Sequence, residues 1–429
     1  MLNTLEIKDL KALDANAKLS SKRQKALQYY LDKGLPTSRL EDWKYTNLNK
    51  HLGKFEWQTV SCVEQNAKNH QDQQIQNIPN SYRLVIKNGR FIPELSEIAE
   101  LSGKLAIMSL KDSIQKKTPK VMQWLEHESS NDSVAALNAA LYSDGLYIQV
   151  SKNTVLTKNL HIVYLHENSN VNTHTFANYR NLIELGSGSK ITVIEDVQVQ
   201  GDGTGWVNTL SNINLAKDSE LQHFVLQREQ VNCVHTSDIN IKQYAHSKFE
   251  SFNLALGNML ARCKITTELL EDSASCSCNG AYILDKKQHS DQKILVKHLA
   301  DNTKSTVFYR GIADDKAHAV FNTKAIVAEK IHKIIARQSN KNILLSNLAE
   351  IDTKPELEIY SDDILECSHG ATIGKLDEDS LFYLQARGIE IVEARKLLMK
   401  AFIEIALSKI TDKELFQYME KLVFAKSVL

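Results

Sequence analysis

The segment that decides the fold is Ile191-Thr192-Val193-Ile194-Glu195-Asp196-Val197-Gln198-Val199. Apolar and polar residues alternate along most of it, with a charged break at Glu195. Alternation with a period of two is typical of a β-strand with one buried face. The segment therefore predicts a strand, and the same pattern recurs through the middle of the chain.

Segments with the same alternation run from Leu146 to Ile359, with no helical stretches between them. They include Leu146 to Val150, Ile239 to Ile241, Ile294 to Val296 and Leu357 to Ile359. The span between Pro119 and Pro355 contains no proline. Because proline cannot donate to a sheet ladder, this gap also indicates a long run of paired strands.

Two architectures fit these strands. A sandwich or barrel needs many tight hairpins, and this span offers Asp144-Gly145, Asp202-Gly203, Asn279-Gly280 and few others. A parallel β-solenoid turns on polar corners and does not need a glycine at each one. The span shows no strict repeat period, so the pattern favours a solenoid without excluding a sandwich.

The residues before this span predict helices with one hairpin. A helix capped by Ser20 or Ser21 ends at Gly34, and a second helical stretch covers about Lys111 to His127. Asn88-Gly89 predicts a hairpin turn. Between these elements, a polar segment with five glutamines is expected to be a mobile link. Its glutamines are Gln65, Gln71, Gln73, Gln74 and Gln76.

The end of the chain is again helical in pattern. A short helix is expected from Asp377 to Arg387, with Gly388 as its terminator. A longer helix should bury an apolar face, and Thr411 with Glu414 should open a final one as a capping box. The apolar face is predicted to consist of Ile391, Ala394, Leu397, Leu398, Ala401, Ile405 and Leu407. The chain thus divides into regions 1–130, 131–375 and 376–429.

A thiol and an imidazole stand two residues apart in the sequence Cys367-Ser368-His369. On a strand they share a face, and both are ligands suited to iron, zinc or copper. Two ligands are too few for a closed site, so a metal held here needs others, for example from another chain. The alternative is a small buried thiol with a hydrogen-bonded histidine.

The remaining motifs do not predict a metal or nucleotide site in this chain. Cys276-Ser277-Cys278 has too tight a spacing for a usual zinc site, which favours two thiols on one strand face. Gly186-Ser187-Gly188-Ser189-Lys190 looks like a phosphate loop, but a strand follows it instead of a helix. We therefore expect a corner there, and no nucleotide bound through a P-loop of this chain.

Bulk properties describe a soluble protein of the cytoplasm. Lys and Arg total 52, as do Asp and Glu, which gives no sign of a nucleic-acid partner or an anionic membrane. The N-terminus lacks the pattern of an export signal, and the six cysteines are expected to be reduced thiols. Phe382, Tyr383 and Arg387 are residue types that dominate protein interfaces, so the short helix is a candidate docking surface.

Long stretches resemble the SufB/SufD family of the SUF iron–sulfur cluster assembly system. The segment from Ser38 to Thr46 looks like the signature of the SufD branch of that family. Leu137 to Val150, Lys354 to Asp363, Cys367 to Thr372 and Phe382 to Gly388 also match the family pattern. The likeness covers most of the chain and is weakest from about Gln58 to Asn80.

This resemblance implies a mainly β fold, a right-handed parallel β-helix flanked by α-helical N- and C-terminal regions. It implies a non-catalytic scaffold that pairs with SufB through the β-helices and docks the SufC ATPase on its C-terminal helices. It places His369, with Cys367 beside it, near a nascent iron–sulfur cluster shared transiently with SufB, and no cofactor is expected in the isolated chain. An exposed β-helix edge would also permit a homodimer of the isolated chain.

Two other functions fit the sequence less well. Many β-helix proteins act on polysaccharides, but those are usually exported and need clustered carboxylates, and neither feature is evident here. A SufB-like subunit that holds a cluster by itself through cysteines is disfavoured by the scattered cysteines and by the Glu41 to Thr46 signature.

Overall fold

The computed structural model describes most of the chain, with seven segments forming the described part. They are residues 17–53, 55–60, 75–101, 103–127, 132–168, 171–228 and 230–426. Residues 65–74 of the glutamine-rich link predicted from Gln65 to Gln76 lie outside the described residues. Gln76 itself is held in place by hydrogen bonds to Gln198 and Arg228, so the link is not mobile at that residue.

Eight helices accompany the strands of the described chain, five in its N-terminal part and three after the last strand. They are α1 Ala17–Lys33, α2 Leu48–Leu52, α3 Leu110–Gln115, α4 Pro119–His127, α5 Ser133–Leu141, α6 Glu378–Ala386, α7 Ile391–Leu407 and α8 Lys413–Phe424. None of these described helices is long and apolar enough to cross a lipid bilayer.

Twenty strands form the body of the described protein. The first ten are β1 Trp57–Thr59, β2 Ser81–Lys87, β3 Arg90–Phe91, β4 Leu105–Ser109, β5 Leu146–Val150, β6 Asn159–Glu167, β7 His174–Leu185, β8 Lys190–Gln200, β9 Thr204–Leu215 and β10 Glu220–Gln227. The others are β11 Gln230–Gln243, β12 Lys248–Ala255, β13 Asn258–Leu269, β14 Ser275–Leu284, β15 His289–His298, β16 Lys304–Ala313, β17 His318–Val327, β18 His332–Leu344, β19 Glu350–Ile359 and β20 Asp363–Gly374.

The strands coil into a parallel β-solenoid, which confirms the predicted fold class. Odd-numbered strands from β5 to β19 form sheet A, and even-numbered strands from β6 to β20 form sheet B. Each strand pairs in parallel with the one two places further along. One coil therefore contributes one strand to each sheet, and a sandwich is excluded.

The start of the solenoid is closed by antiparallel pairs. β4 pairs with β5 at the end of sheet A, and β3 pairs with β2 at the end of sheet B. The β2–β3 turn is at Asn88 and Gly89, both with positive φ, as the hairpin signal predicts. The stretch before residue 131 thus adds strands to both sheets.

The interior is apolar and continuous along the coils. Residues on the inward face of each strand form one buried cluster, among them Ile162, Val193, Ile213, Ile265 and Phe321. Cys233, Cys263, Cys276 and Cys278 are buried thiols of the same cluster, as expected for core cysteines. These contacts hold the two sheets together.

Helices α7 and α8 cover the outer face of sheet B. Phe224, Phe252 and Ile283 of the sheet pack in one buried cluster with Ile403 of α7 and Met419 of α8. The C-terminal helices are therefore part of the solenoid's folded body.

A buried ion pair between Arg228 and Asp196 links α8 to the same face of sheet B through a hydrogen bond to Tyr418. Arg228 lies 2.7 Å from Asp196 Oδ1 and 2.8 Å from Oδ2, and it also donates to the hydroxyl of Tyr418 at 2.8 Å. His161 and Gln198 complete the hydrogen bonding of the same buried carboxylate. Burial by itself raises the pKa of Asp196, but the charge and hydrogen bonds of its partners outweigh this and hold that pKa well below its usual range.

Candidate functional site

Strand β20 places Cys367 and His369 at the open end of the solenoid. It is the last strand of sheet B and pairs with β18 alone, so its other edge is free within the described protein. The chain then leaves the sheet at Gly374, and Asp377 caps α6 by accepting a hydrogen bond from the backbone of Ser380. This confirms the predicted strand that runs directly into a helix.

The register puts both candidate ligands on the interior face of β20. Cys367 lies opposite Ala336, and His369 lies opposite Gln338, which are buried residues of β18. Two strands further into sheet B, the residues at the same register positions are Cys276 and Cys278 of β14. The Cys-x-His pair thus sits where the solenoid interior meets solvent.

The two side chains differ in exposure. Cys367 is half-buried and His369 is exposed. Partial burial raises the pKa of the Cys367 thiol, so the thiol is protonated at neutral pH and a metal must displace its proton to bind. Both donors remain suited to iron, but no cluster of three or more potential metal ligands exists among the described residues.

An apolar rim surrounds this pair. Leu365 and Ile373 of β20 are 61% and 43% exposed, and Ile359 of β19 is 41% exposed. In earlier coils the corresponding inward positions are covered by the next coil, whereas here no described coil follows. Exposed apolar side chains beside free strand edges are typical of a protein–protein interface.

Helix α6 projects from the protein and buries none of its residues. Phe382 is 74% exposed and Tyr383 is 58% exposed. The guanidinium of Arg387 lies 5.1 Å from the Tyr383 ring centroid and donates to its hydroxyl at 3.1 Å. Tyr383 and Arg387 are therefore in contact on α6, and Phe382 is exposed beside them on the same helix.

The apolar face predicted for α7 is wrong in part. Its buried residues are Ala394, Met399, Ile403, Ala406 and Leu407. Ile391, Leu397 and Ile405 are exposed instead, together with Val392. The helix is apolar on two sides, and only one of them packs on sheet B. The second side is exposed within the described protein, which sequence reasoning missed.

The signature segment from Ser38 to Thr46 is fastened to the outer face of sheet A. The guanidinium of Arg262 on β13 lies 3.8 Å from the centroid of the Trp43 ring and forms an ion pair with Asp291 on β15. The Trp43 indole donates to Asp132 at 3.1 Å, and the Thr46 hydroxyl donates to Asp291 at 2.6 Å. This motif therefore has a structural role in this chain.

A cavity of about 560 Å³ lies elsewhere, in a groove along one row of solenoid corners. Lys287, Lys316 and Leu348 are among its lining residues, which include neither Cys367 nor His369. The Gly186 to Lys190 segment forms another corner, between β7 and β8, with Gly188 at positive φ. As predicted, no helix follows it that could hold a phosphate.

The parallel β-solenoid, with an open end that bears a thiol and an imidazole, is the fold expected from the resemblance to the SufB/SufD family. Comparison with known proteins agrees. Residues 151–402 match the SufBD core domain of the SUF iron–sulfur cluster assembly system, and residues 6–162 match the SufBD N-terminal region. The chain belongs to the SufBD family.

Individual relatives point to the SufD branch. The chain is 30% identical over 403 residues to the iron–sulfur cluster assembly protein SufD of Escherichia coli, covering 93% of this chain and 91% of that protein. It is 27% identical over 420 residues to a SufBD family protein of Synechocystis, covering 94% and 92%. It is 28% identical over 242 residues to the chloroplastic protein ABCI7 of Arabidopsis thaliana, covering 56% and 50%. The protein is thus a SufD-like iron–sulfur cluster assembly protein.

Proposed function

We propose that this chain is the non-catalytic scaffold subunit of a SUF complex and that its open solenoid end pairs with a SufB-type chain. The observation that carries the proposal is the unpaired end of both sheets. β19 and β20 each have one free edge, and Leu365, Ile373 and Ile359 expose an apolar rim there. A second solenoid placed end to end would pair these edges and cover that rim.

The nascent cluster is the cargo of this interface. Cys367 and His369 lie within the rim and supply two donors of the type that iron accepts. Since these two donors cannot close a coordination sphere, the partner chain must supply the others. The residues present fit this shared role better than a site complete within one chain.

The exposed surface of α6 and α7 is the proposed dock for a SufC-type ATPase. Phe382, Tyr383 and Arg387 combine aromatic area with a charged, hydrogen-bonding group, and Val392 extends the apolar area along α7. ATP hydrolysis would occur on that partner, because the Gly186 to Lys190 segment of this chain lacks the helix that a P-loop needs.

The experiment is co-expression with SufB- and SufC-type partners, comparing wild type with His369→Ala and Ser368→Ala. Ser368 is the exposed neighbour on the opposite strand face, so its substitution is the matched control. We expect all three complexes to form, with iron and acid-labile sulfide lost in His369→Ala alone. A His369→Ala complex with normal cluster content would exclude the ligand role.

A separate variant tests the ATPase dock. Phe382→Ser should release the ATPase partner while the pairing with the SufB-type chain persists in size-exclusion chromatography. Leu365→Lys, which places a charge in the apolar rim, should have the opposite effect. Retention of both partners by both variants would contradict the assignment of the two surfaces.

A further inference from the structure

Gln338 is the residue directly behind His369. β18 and β20 run in parallel, and their register places the two residues opposite each other. Neighbouring strands of a sheet are about 4.8 Å apart, so side chains at opposed positions on one face are neighbours. The glutamine is therefore within side-chain reach of the imidazole.

Only one of the two polar atoms in the Gln338 side-chain amide has a hydrogen-bond partner among the described residues. The residue is only 5% exposed, and its Nε2 donates to the carbonyl oxygen of Glu356 at 3.1 Å. Its Oε1 is buried and accepts no hydrogen bond from the described residues. A buried carbonyl oxygen without a donor is costly, and such oxygens are rare in folded proteins.

Another polar atom of the last coil is in the same state. The hydroxyl of Thr353 on β19 is also buried without a partner among the described residues. The open end of the solenoid therefore holds two buried polar atoms whose hydrogen bonding is incomplete.

We propose that Gln338 is a positioning residue for His369. Its Oε1 accepts the N–H of the imidazole once that ring turns inward, and this fixes both the tautomer and the ring orientation. His369 is exposed on a strand with a free edge, so its side chain rotates within nanoseconds. The contact gives the buried acceptor the donor that it lacks.

The consequence for metal binding follows from the chemistry of imidazole. A neutral ring has one N–H and one lone pair, and a metal binds through the lone pair. Histidines that bind metals nearly always donate their other nitrogen to an acceptor, which sets the tautomer. Gln338 would thus leave one defined nitrogen available at the open end. The metal-binding role of His369 rests on the proposed function, whereas its contact with Gln338 does not.

The test is the tautomer of His369 in the full-length chain, without iron or partners. Long-range ¹H–¹⁵N spectra of protein labelled at histidine ring nitrogens report it, and a His369→Asn variant assigns the signal. We expect a single tautomer in wild type and in Gln338→Glu, which keeps an acceptor oxygen. Gln338→Met should shift the ratio toward that of free histidine. Gln243→Met, which alters a buried glutamine on β11, is the control and should leave it unchanged.

Circular dichroism first shows which variants fold, and Gln338→Ala replaces Gln338→Met if the latter does not. Equal tautomer ratios in wild type and in the acceptor-free variant would overturn the proposal. Because the measurement needs no iron, this failure is separable from that of the proposed function. A complex that loses iron in His369→Ala, with an unchanged tautomer in Gln338→Met, would refute the positioning role alone.

Discussion

Replacing Arg228 by methionine should destabilise the protein by about 3–5 kcal/mol. This is the usual loss when one partner of a buried ion pair is removed and the other charge remains. Asp196 is fully buried, and Arg228 forms two hydrogen bonds to it and a third to Tyr418 of α8. His161 and Gln198 still donate to the carboxylate in the variant, so we expect a value near the lower limit.

The sign of the pH dependence follows from the lowered pKa of Asp196. A carboxyl group whose pKa is lower in the folded state stabilises the protein above its unfolded pKa of about 3.9. That contribution is lost as pH falls through the folded pKa. At pH 7 it is fully present in wild type, so the loss in Arg228→Met is fully measurable there.

Urea unfolding followed by far-UV circular dichroism measures the change. Asp196→Asn is the matched variant, and the double variant Asp196→Asn/Arg228→Met completes a cycle. We expect the double variant to be more stable than the sum of the single losses predicts, by at least about 1.5 kcal/mol, because it leaves no unpaired buried charge. A loss below about 1 kcal/mol in Arg228→Met, or strictly additive losses, would refute the reasoning.

Three further changes are predicted. Trp43→Ala should cost about 3–5 kcal/mol in urea unfolding, the usual range for a buried tryptophan, and an unchanged midpoint would show that the Ser38 to Thr46 segment is not fastened to sheet A. Asp412→Ala should lower the free energy of unfolding by about 1 kcal/mol, because Asp412 is the N-cap of α8 and accepts a hydrogen bond from the backbone of Leu415. Thr411→Ala should lower it less. A larger loss in Thr411→Ala would show that Thr411 is the cap, as the sequence predicted. Burial lowers the pKa of His298 to about 4, so this residue alone should contribute about 2 kcal/mol to the loss of stability between pH 7 and pH 5. His298→Gln should flatten this part of the pH profile, and an unchanged slope would contradict the assignment.

Alternation alone was enough to predict the strands, because each has one face in the solenoid interior. It could not decide between solenoid and sandwich, since the coils differ in length. Val234 pairs with Leu260, 26 residues further along, whereas Leu160 pairs with Val193, 33 residues further along. Corners of variable length remove any strict period from the sequence even though the sheets stay in register.

The hydrogen-bond partners of buried polar residues could not be predicted from the alternating pattern. Glu195 is charged where the alternating pattern calls for an apolar residue. Its side chain nevertheless points into the solenoid interior, as those of Val193 and Val197 do. Its carboxylate accepts from Tyr164 at 2.6 Å and lies 2.9 Å from His223 Nε2. Such partners come from other coils, so no local window of sequence reveals them.

Helix boundaries were the least accurate predictions. Ser20 and Ser21 lie inside α1 instead of capping it, and the stretch from Lys111 to His127 is two helices separated by a turn at Lys117, which has positive φ. The cap of α8 is one residue later than predicted: the Thr411 hydroxyl accepts from Gln222 of sheet B. Tertiary contacts outweighed local capping preference at these positions.

The candidate site could be located from the sequence but not completed. The spacing of Cys367 and His369 predicts a shared strand face, which the register confirms. Gln338 could not be connected to this site, because nothing nearby in the sequence relates it to a residue 31 positions later. Only the stacking of coils brings the two together.

The two ends of the solenoid are unlike, and under the proposed pairing this would limit how many copies a complex contains. The first coil ends in short antiparallel pairs, β2 with β3 and β4 with β5, whereas the last coil leaves long parallel edges free. A particle with two such edges would polymerise head to tail into a filament. A particle with one joins a single counterpart and then stops. Because only one end has long free edges, the proposed pairing would stop after one counterpart, whichever solenoid that is.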